Sequence, residues 1–305
     1  LENVMVTTGS EQAIDLVGKA FVNPGDTVLV EEPTYLCALD VFRSYGANFV
    51  SVPMDDDGMK MDALEEALKA HPETALVYTV PNFQNPTGRT MPAERRKKFA
   101  ELAAKYDVPV LEDNPYGDIR FAGEHVPSVK SFDHAGKVFY MSTFSKILAP
   151  GFRLGWLVAD PKVIEKLTVL KQSADLHTDN LVQYVVTEFF KENDVDAHVK
   201  EISDLYGKRK QLMIDGIKKY FPKDVKYTDP EGGMFLWVEV PGVTDTVELF
   251  KQCLEHNVAF VPGDPFFAGK PQPGTFRLNY SNMQEDQIEV GLKRLGEALS
   301  QALEA

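Results

Sequence analysis

The first two-thirds of the chain alternates short, mostly apolar runs with amphipathic segments, and this alternation constrains the fold more than any other feature. Runs such as ALVYTV and KVFYMS carry apolar residues at adjacent positions, which indicates strands buried on both faces. Alternating strands and helices predict a mainly parallel sheet between two helical layers, a three-layer α/β architecture. We predict strands at residues 4–7, 27–31, 49–52, 75–80, 108–112, 138–142 and 155–158, and helices at residues 10–21, 35–45, 61–70 and 93–106.

The pattern changes after about residue 180. A long helical stretch is predicted from residue 181 to 220, with an interruption near residues 193–196, and strand-like runs follow at residues 233–239, 258–260 and 275–280. A chain of 305 residues also exceeds the usual size of a single core. We therefore predict a large α/β domain over residues 1–195 and a smaller α+β C-terminal domain over residues 196–305.

Charge and composition exclude several classes of protein. The 32 Lys and Arg residues against 46 Asp and Glu residues give a net charge of −14, which argues against a nucleic-acid partner and against binding to anionic membranes. The longest apolar runs are too short to cross a bilayer. The histidines show no metal-ligand spacing, so no metal site is expected. Two isolated cysteines, Cys37 and Cys253, suit a reducing cytoplasm.

The chain begins abruptly. Leu1 is not an initiator methionine, and a run that we predict to be a buried strand already begins at residue 4. We therefore expect that a segment upstream of Leu1 is missing.

The first candidate site is the segment Thr8-Gly9-Ser10-Glu11-Gln12, where a predicted strand meets a predicted helix. Gly9 permits a tight turn, and Ser10 is predicted to cap the helix. The free amides and the positive dipole end of a helix start form an anion site. By itself, however, the segment is more typical of a capped helix without a ligand.

Three further polar groups lie in or after predicted strands. Asn85 belongs to the loop at 81–88, which follows a strand end where α/β sheets bind ligands and is richer in amides than a turn requires. Asp113 lies just past another predicted strand; it is either part of a solvated turn or cap, or a carboxylate whose pKa a cationic partner holds low. Arg277 lies inside a β-like run and is either solvated on an edge strand or buried against a carboxylate, which its planar guanidinium fits.

Lys146 lies just after a predicted strand, beside the hydroxyl residues Thr143 and Ser145. Burial near Arg153 would lower the pKa of Lys146 and make its amine a nucleophile towards aldehydes. A serine acylase of the S-x-x-K type is a rival, but Thr143 occupies the nucleophile position and neither SDN nor KTG follows. The segment is therefore better explained by a reactive lysine.

In this order and spacing, the five segments resemble those of the fold-type I pyridoxal 5′-phosphate (PLP) aminotransferases of class I/II, most closely the branch with 2-aminoadipate and kynurenine aminotransferases. The resemblance extends from Thr8 to Asn282 and includes the motifs EEPTY, PEGGMF and FVPG. It implies a PLP enzyme that moves an amino group from an L-amino acid to a 2-oxo acid, such as 2-oxoglutarate, by a ping-pong mechanism. It also implies a homodimer, since the active sites of the family lie at a subunit interface.

The resemblance implies a role for each candidate residue. Lys146 would form the internal Schiff base and later move the proton between Cα of the substrate and C4′ of the cofactor. Asp113 would keep the pyridine nitrogen protonated, so that the ring acts as an electron sink. Arg277, helped by Asn85, would bind the α-carboxylate of the substrate. The other implied cofactor contacts are Tyr116 and Asn85 at the 3′-hydroxyl, Tyr35 on the ring face, and Ser10, the amide of Glu11, Thr143, Ser145 and Arg153 at the phosphate.

The chain departs from the family pattern at a few positions. Glu11 stands where many relatives carry Gln, so its side chain is expected to point away from the phosphate. Thr143 replaces a common Ser and keeps the hydroxyl. The N-terminal arm and helix of the family, which complete the small domain and cover the active site, are expected to belong to the missing segment.

Two alternatives remain open from the sequence. One is the PLP-binding sensor domain of a transcription regulator, a class whose counterpart of Asn85 is usually aromatic and which carries a DNA-binding module upstream. The other is a PLP lyase on the same scaffold, such as a C–S lyase.

Overall fold

The structure, a computed structural model, describes residues 1–304, which form twelve strands and nine α-helices. The strands are β1 (Val4–Thr7), β2 (Thr27–Glu32), β3 (Asn48–Asp55), β4 (Gly58–Met59), β5 (Leu76–Thr79), β6 (Val110–Asp113), β7 (Val138–Thr143), β8 (Gly155–Val158), β9 (Lys226–Tyr227), β10 (Phe235–Glu239), β11 (Val261–Pro262) and β12 (Thr275–Asn279). The helices are α1 (Gly9–Phe21), α2 (Leu36–Ser44), α3 (Met61–Ala70), α4 (Ala93–Lys105), α5 (Pro161–Ala174), α6 (Asn180–Glu192), α7 (Val195–Tyr220), α8 (Thr246–Glu255) and α9 (Glu285–Glu304).

The large sheet has the strand order β1-β8-β7-β6-β5-β2-β3-β4. Five adjacent strands, β7, β6, β5, β2 and β3, run parallel, whereas β8, β1 and β4 pair antiparallel towards the edges. Val77 and Tyr78, neighbours on β5, pack in two different apolar clusters, one with Phe99 of α4 and the other with Ile14 of α1. Helices therefore cover both faces of the sheet, which confirms the predicted three-layer α/β fold.

The second sheet is antiparallel throughout and has the strand order β11-β12-β10-β9. Its apolar cluster combines Leu236 and Phe276 from the strands with Ile217, Cys253 and Leu292 from α7, α8 and α9. α7 begins at Val195, next to the predicted domain boundary, and the boundary itself stays a prediction. Among the described residues, none of the helices combines the length and the apolar character that a bilayer crossing requires.

Two strand predictions were wrong in detail. No strand forms at residues 258–260; Phe260 instead stacks on Phe276, with the ring centroids 4.3 Å apart, and strand pairing begins one residue later. β1 is buried on one face only: it is the edge strand of the large sheet, and the side chains of Val4 and Val6 remain 43% and 37% exposed while Met5 and Thr7 are buried. The other predicted strands and helices form within three residues of their predicted ends.

Helix α5 was not predicted, although the sequence carries its start signals. The side chain of Asp160 accepts a hydrogen bond from the amide of Lys162 as the N-cap, and Pro161 occupies the first turn. α5 packs against α1 and thereby supports the start of α1 from behind.

Candidate active site

A cavity of about 420 Å³ opens where the parallel strands end. It is the position at which open α/β sheets bind ligands, because the loops that follow the strands diverge there. All the residues that the sequence marked as candidates line this one cavity: Ser10, Glu11, Tyr35, Asn85, Asp113, Tyr116, Thr143, Ser145, Lys146, Arg153 and Arg277. Leu36, Cys37, Val80, Pro115, Pro150, Met234, Phe235 and Asn279 line it as well and were not predicted.

The start of α1 forms one end of the cavity, with the guanidinium of Arg153 beside it. Gly9 has φ +76°, and a Cβ at this position would collide with the Arg153 guanidinium. A Cβ at Gly155 on β8 would lie 2.9 Å from the backbone nitrogen of Ser10. Gly9 thus lets the Arg153 guanidinium approach the start of α1, and Gly155 lets β8 approach it. The backbone amides at a helix start have no acceptors within the helix, so they are free to bind an anion.

Ser10 does not cap α1, contrary to the prediction. α1 begins one residue earlier, at Gly9, so that Thr8 is the N-cap and Ser10 lies in the first turn. The side chain of Gln12 accepts a hydrogen bond from the Thr8 amide at 2.9 Å and so takes over the capping role. The Ser10 side chain therefore lines the cavity instead of closing the helix end.

A polar network behind α1 holds Gln12 in place, and the sequence analysis missed it. Lys171 Nζ donates to Gln12 Oε1 at 2.6 Å and to both carboxylate oxygens of Asp175 at 2.8 Å. Gln12 Nε2 and Thr8 Oγ1 donate to the same carboxylate at 2.7 and 2.9 Å. The spacing of four residues between Lys171, in the last turn of α5, and Asp175, just after that helix, was the signal in the sequence that could have revealed it.

Two hydroxyl residues, Thr143 and Ser145, line the cavity together with Arg153. Thr143 ends β7, and its Oγ1 donates to the carbonyl oxygen of Leu154 at 3.0 Å while it accepts from the amide of Ser145 at 3.1 Å. The two hydroxyl oxygens of Thr143 and Ser145 are 2.9 Å apart. Lys146 follows directly, so the turn after β7 directs hydroxyls and an amine into the same cavity.

Asp113 is almost fully buried at the end of β6, with 3% of its surface exposed. Its Oδ2 accepts a hydrogen bond from the Tyr78 hydroxyl at 2.7 Å, whereas Oδ1 has no partner among residues 1–304. Burial raises the pKa of Asp113 to about 7, and the Tyr78 hydrogen bond and the charge of Lys146 only partly oppose this. In the cofactor-free chain, desolvation therefore outweighs the charge of Lys146, and a low pKa of Asp113 against a bound cationic partner stays a prediction.

The amine of Lys146 is the nucleophile that the cavity offers. Burial is the main cause that lowers the pKa of Lys146. The charges of Arg277 and Arg153 lower it further, while the charge of Asp113 raises it. The direction agrees with the sequence prediction. A lower pKa leaves more of the amine unprotonated, which is the form that attacks a carbonyl carbon.

Asn85 joins the two sheets across the cavity. Its Oδ1 accepts a hydrogen bond from Arg277 Nη1 on β12 at 2.8 Å, and its Nδ2 donates to the Tyr116 hydroxyl at 3.3 Å. The Arg277 guanidinium carbon lies 4.0 Å from the centroid of the Phe235 ring and 5.1 Å from that of Phe266. This stacking fixes the plane of the guanidinium, which points its remaining donors at the cavity.

Tyr35 and Glu11 contact each other at the cavity wall. The Tyr35 hydroxyl lies 3.5 Å from Glu11 Oε2, a distance at the upper limit for a hydrogen bond. Burial raises the pKa of the Glu11 carboxyl. The side chain of Glu11 is thus directed at an aromatic hydroxyl, and its orientation relative to a phosphate stays a prediction.

Glu31 supports the Asn85 loop from below, and the sequence analysis gave it no role. Its Oε1 accepts from Thr79 Oγ1 at 2.6 Å and from the amide of Val80 at 3.2 Å. Its Oε2 accepts from Gln84 Nε2 at 2.9 Å, and Gln84 Oε1 in turn accepts from the Thr87 amide and hydroxyl. A single buried carboxylate thus ties β2 to β5 and to the loop that carries Asn85.

The burial of Glu31 predicts a pH dependence of stability in the cofactor-free protein. Burial raises the pKa of Glu31 from 4.5 to about 7, so the folded chain binds the extra proton between these values. The free energy of unfolding therefore decreases as the pH rises from about 4.5 to about 7, with Glu31 contributing on the order of 3 kcal/mol. We expect Glu31→Gln to remove that part of the slope in urea unfolding curves measured from pH 4.5 to 8.

The same substitution carries a cost that does not depend on pH. A glutamine at position 31 turns one acceptor into a donor that faces Gln84 or Thr79, which destabilises the fold by about 1–3 kcal/mol. Glu94→Gln, at an exposed carboxyl, is the matched control and should keep the wild-type slope. A Glu31→Gln curve parallel to the wild-type curve would contradict the assignment.

A larger groove, of about 720 Å³, lies beside the site and contains none of the predicted residues. Arg89 already pairs there with Asp56, with nitrogen and oxygen 3.1 Å apart. The remaining charges of the groove are mixed in sign: Asp57, Lys226, Asp229, Glu231 and Glu239. The described residues that line this groove include no buried lysine and carboxylate comparable to Lys146 and Asp113, so the smaller cavity is the candidate active site.

The residues of the smaller cavity fit PLP. Its volume lies in the range of small-molecule sites. Asp113 Oδ1, which has no partner among residues 1–304, matches a protonated ring nitrogen, and Lys146 supplies an amine for the aldehyde. The start of α1, two hydroxyls and Arg153 suit a phosphate.

Comparison with known proteins agrees with this geometry. Residues 1–295 match the family described as aminotransferase class I and II. The aromatic-amino-acid aminotransferase 1 of Thermococcus litoralis is 44% identical over 305 residues, which cover 99% of this chain and 73% of that protein. The 2-aminoadipate transaminase of Thermus thermophilus is 41% identical over 302 residues, with coverages of 98% and 75%.

Among solved structures, the crystal structure of Pyrococcus horikoshii kynurenine aminotransferase matches with a TM-score of 0.96 and 44% identity, covering 99% of this chain and 76% of that chain. Family, relatives and fold therefore agree with the chemistry of the cavity. The chain belongs to the class I and II aminotransferases and is an aminotransferase whose cofactor is PLP.

Proposed function

We propose that this aminotransferase moves an amino group from an L-amino acid to a 2-oxo acid, with 2-oxoglutarate as the acceptor, in two half-reactions of a ping-pong cycle. The observation that carries the proposal is that Lys146, Asp113 and Arg277 face one cavity. A nucleophilic amine, a carboxylate for the ring and a guanidinium for a carboxylate are together what amino-group transfer requires.

Cofactor binding is proposed to use the following groups. Lys146 Nζ holds PLP covalently, and Asp113 Oδ1 accepts a hydrogen bond from the ring nitrogen. When bound, PLP supplies an electron sink for the electron pair that Cα of the substrate keeps after it loses its proton. The other proposed contacts are Tyr35 on the ring face, Tyr116 and Asn85 at the 3′-hydroxyl, and Ser10, the amide of Glu11, Thr143, Ser145 and Arg153 at the phosphate.

Substrate binding is proposed to rest on the guanidinium of Arg277, and proton transfer on the amine of Lys146. Arg277 binds the α-carboxylate bidentately, helped by the amide of Asn85, and thereby fixes the position of Cα. Lys146 Nζ, released from the cofactor, takes the proton from Cα and later delivers it, and its lowered pKa leaves more of the amine in the unprotonated form that a general base requires.

The named relatives suggest the class of amino donor. They act on aromatic amino acids, on 2-aminoadipate and on kynurenine according to their names. We propose a correspondingly broad donor range of aromatic, acidic and aliphatic L-amino acids. We also propose a homodimer in the cytoplasm, with the domains divided into residues 1–195 and 196–305.

A single half-reaction tests the proposal. The PLP-loaded protein is mixed with one L-amino acid at a time, without an acceptor, and both the absorbance of the cofactor aldehyde and the released products are followed. We expect one equivalent of 2-oxo acid per active site, with no free ammonia, and recovery of the initial absorbance when 2-oxoglutarate is added.

Each alternative gives another result in the same experiment. Continuous release of pyruvate and ammonia would establish a lyase and exclude the transfer. Binding of PLP without any product from a full panel of amino acids would favour a sensor domain. The decarboxylated amine of a good donor is the control and should react much more slowly, because it lacks the group that Arg277 is proposed to bind.

A further inference from the structure

Tyr78 lies directly beside the carboxylate that faces the cavity. It is on β5, fully buried, and its hydroxyl donates to Asp113 Oδ2 at 2.7 Å. β5 and β6 are parallel neighbours with Tyr78 opposite Leu111, so Asp113 lies two residues further on and on the same face. The phenol thus reaches along the sheet to the end of the next strand.

The contact decides which oxygen of Asp113 is available to a ligand. Oδ2 is held by the Tyr78 hydroxyl, and Oδ1 has no partner in the described chain although Asp113 lines the cavity. The Tyr78 ring is itself fixed, because it packs edge-on against the buried Phe42, with ring centroids 5.9 Å apart and an interplanar angle of 68°. One carboxylate rotamer is therefore selected by a phenol that has little freedom to move.

We propose that Tyr78 is a positioning residue for the cofactor ring: its hydroxyl orients Asp113 and keeps the carboxylate ionised against the ring nitrogen. The inference rests on the proposed role of Asp113. A hydrogen bond donated to a carboxylate favours its charged form. Without that bond, the shared proton moves from the ring nitrogen towards the carboxylate, and the ring becomes a poorer electron sink.

The chain offers a matched control for this pair. Tyr45 donates to Asp15 Oδ1, also at 2.7 Å, but neither residue lines the cavity. Tyr45→Phe removes the same kind of hydrogen bond as Tyr78→Phe. A general effect of losing a tyrosine–aspartate bond would appear in both variants, and an effect on the cofactor only in Tyr78→Phe.

The experiment uses holoenzyme loaded with PLP that carries 15N in the ring. The 15N chemical shift of the ring nitrogen is followed against pH, together with kcat. We expect wild type and Tyr45→Phe to keep the protonated shift, and Tyr78→Phe to move towards neutral pyridine with kcat reduced about 10- to 100-fold. A wild-type shift and kcat in folded Tyr78→Phe would overturn the inference.

Asp113→Asn separates this inference from the proposed function. If Asp113→Asn leaves the ring nitrogen unchanged, the proposed role of Asp113 fails; if it changes the nitrogen but Tyr78→Phe does not, only the role of Tyr78 fails. The double variant should show the shift of Asp113→Asn alone, because Tyr78 acts through that carboxylate. If the 15N shift of the double variant lies closer to neutral pyridine than that of Asp113→Asn, Tyr78 does not act through Asp113 alone.

A second replacement keeps the test decisive if Tyr78→Phe does not fold. 4-Aminophenylalanine at position 78 retains the ring and places an aromatic amine, a weaker hydrogen-bond donor, where the hydroxyl was. The 15N shift of the ring nitrogen should then move part of the way from the protonated value towards neutral pyridine. A wild-type shift in this variant would overturn the inference.

Discussion

Replacing Lys146 with alanine is expected to lower kcat/KM for transamination by at least about 10⁴-fold, because one amine is proposed both to hold the cofactor and to move the proton at Cα. No other lysine lines the cavity among the described residues, so no neighbouring side chain can substitute for it. The fold should tolerate the change, since Lys146 is partly exposed in a turn.

Reduction with borohydride followed by peptide mass analysis checks the covalent part. Wild type should carry the reduced cofactor on the peptide that contains Lys146, and Lys146→Ala should carry none. Lys130→Ala is the control, since Lys130 is also half-buried but pairs with Asp133 outside the cavity. Label on any lysine other than Lys146 in wild type would refute the assignment.

The convergence of the candidate residues on one cavity could be predicted from the sequence, because they lie in short contiguous motifs at strand ends. Asp113 ends a buried strand and Asn85 and Lys146 each follow one, and parallel strands end at the same edge of a sheet. Once the alternation predicts such a sheet, their convergence follows from topology. The resemblance was needed to assign Ser10 and Arg277 to the site. By themselves, their segments are more typical of a capped helix without a ligand and of a solvated edge strand.

The supporting contacts could not be predicted, because they join residues far apart in sequence. Glu31 binds Thr79 and Gln84, 48 and 53 positions away, and Tyr78 binds Asp113, 35 positions away. A polar group in a strand that is buried on both faces does indicate that a hydrogen-bond partner exists. Which partner it finds depends on strand order and register, which composition and periodicity leave undetermined.

The pKa of Asp113 illustrates a second limit. Its position at a strand end is visible in the sequence, and so are the nearby cations. Whether desolvation or charge prevails depends on burial, and Asp113 is buried deeply enough that its pKa rises to about 7 in the cofactor-free chain. A bound cation such as a protonated ring nitrogen would reverse that balance, so the site is arranged for a partner that the chain itself does not supply.

Local charge in the cavity also opposes the charge of the whole protein. The chain carries a net charge of −14, yet Lys146, Arg153 and Arg277 all line the cavity, against Glu11 and Asp113. A phosphate and a substrate carboxylate are anions, which the acidic surface repels at long range and these cations attract at short range. Binding of the phosphate and of the substrate carboxylate is therefore expected to depend strongly on Arg153 and Arg277.

Arg277→Lys is expected to lower kcat/KM for amino acids by about 10²- to 10³-fold, mainly through KM. Lysine keeps the charge but loses the planar fork that fits a carboxylate, and it cannot maintain both the contact with Asn85 and the stacking between Phe235 and Phe266. Losing one or two charge-assisted hydrogen bonds accounts for a change of this size.

Half-reaction kinetics with a paired substrate set check this prediction. KM should rise for an L-amino acid and for its 2-oxo acid, whereas the rate for the corresponding amine and the affinity for PLP should stay unchanged. Arg120→Lys is the control, because Arg120 also stacks on an aromatic ring, with its guanidinium carbon 4.8 Å from the centroid of the Phe83 ring, but lies outside the cavity. If the amine and the amino acid lose reactivity to the same extent, Arg277 does not bind the α-carboxylate, and the proposed substrate orientation is wrong.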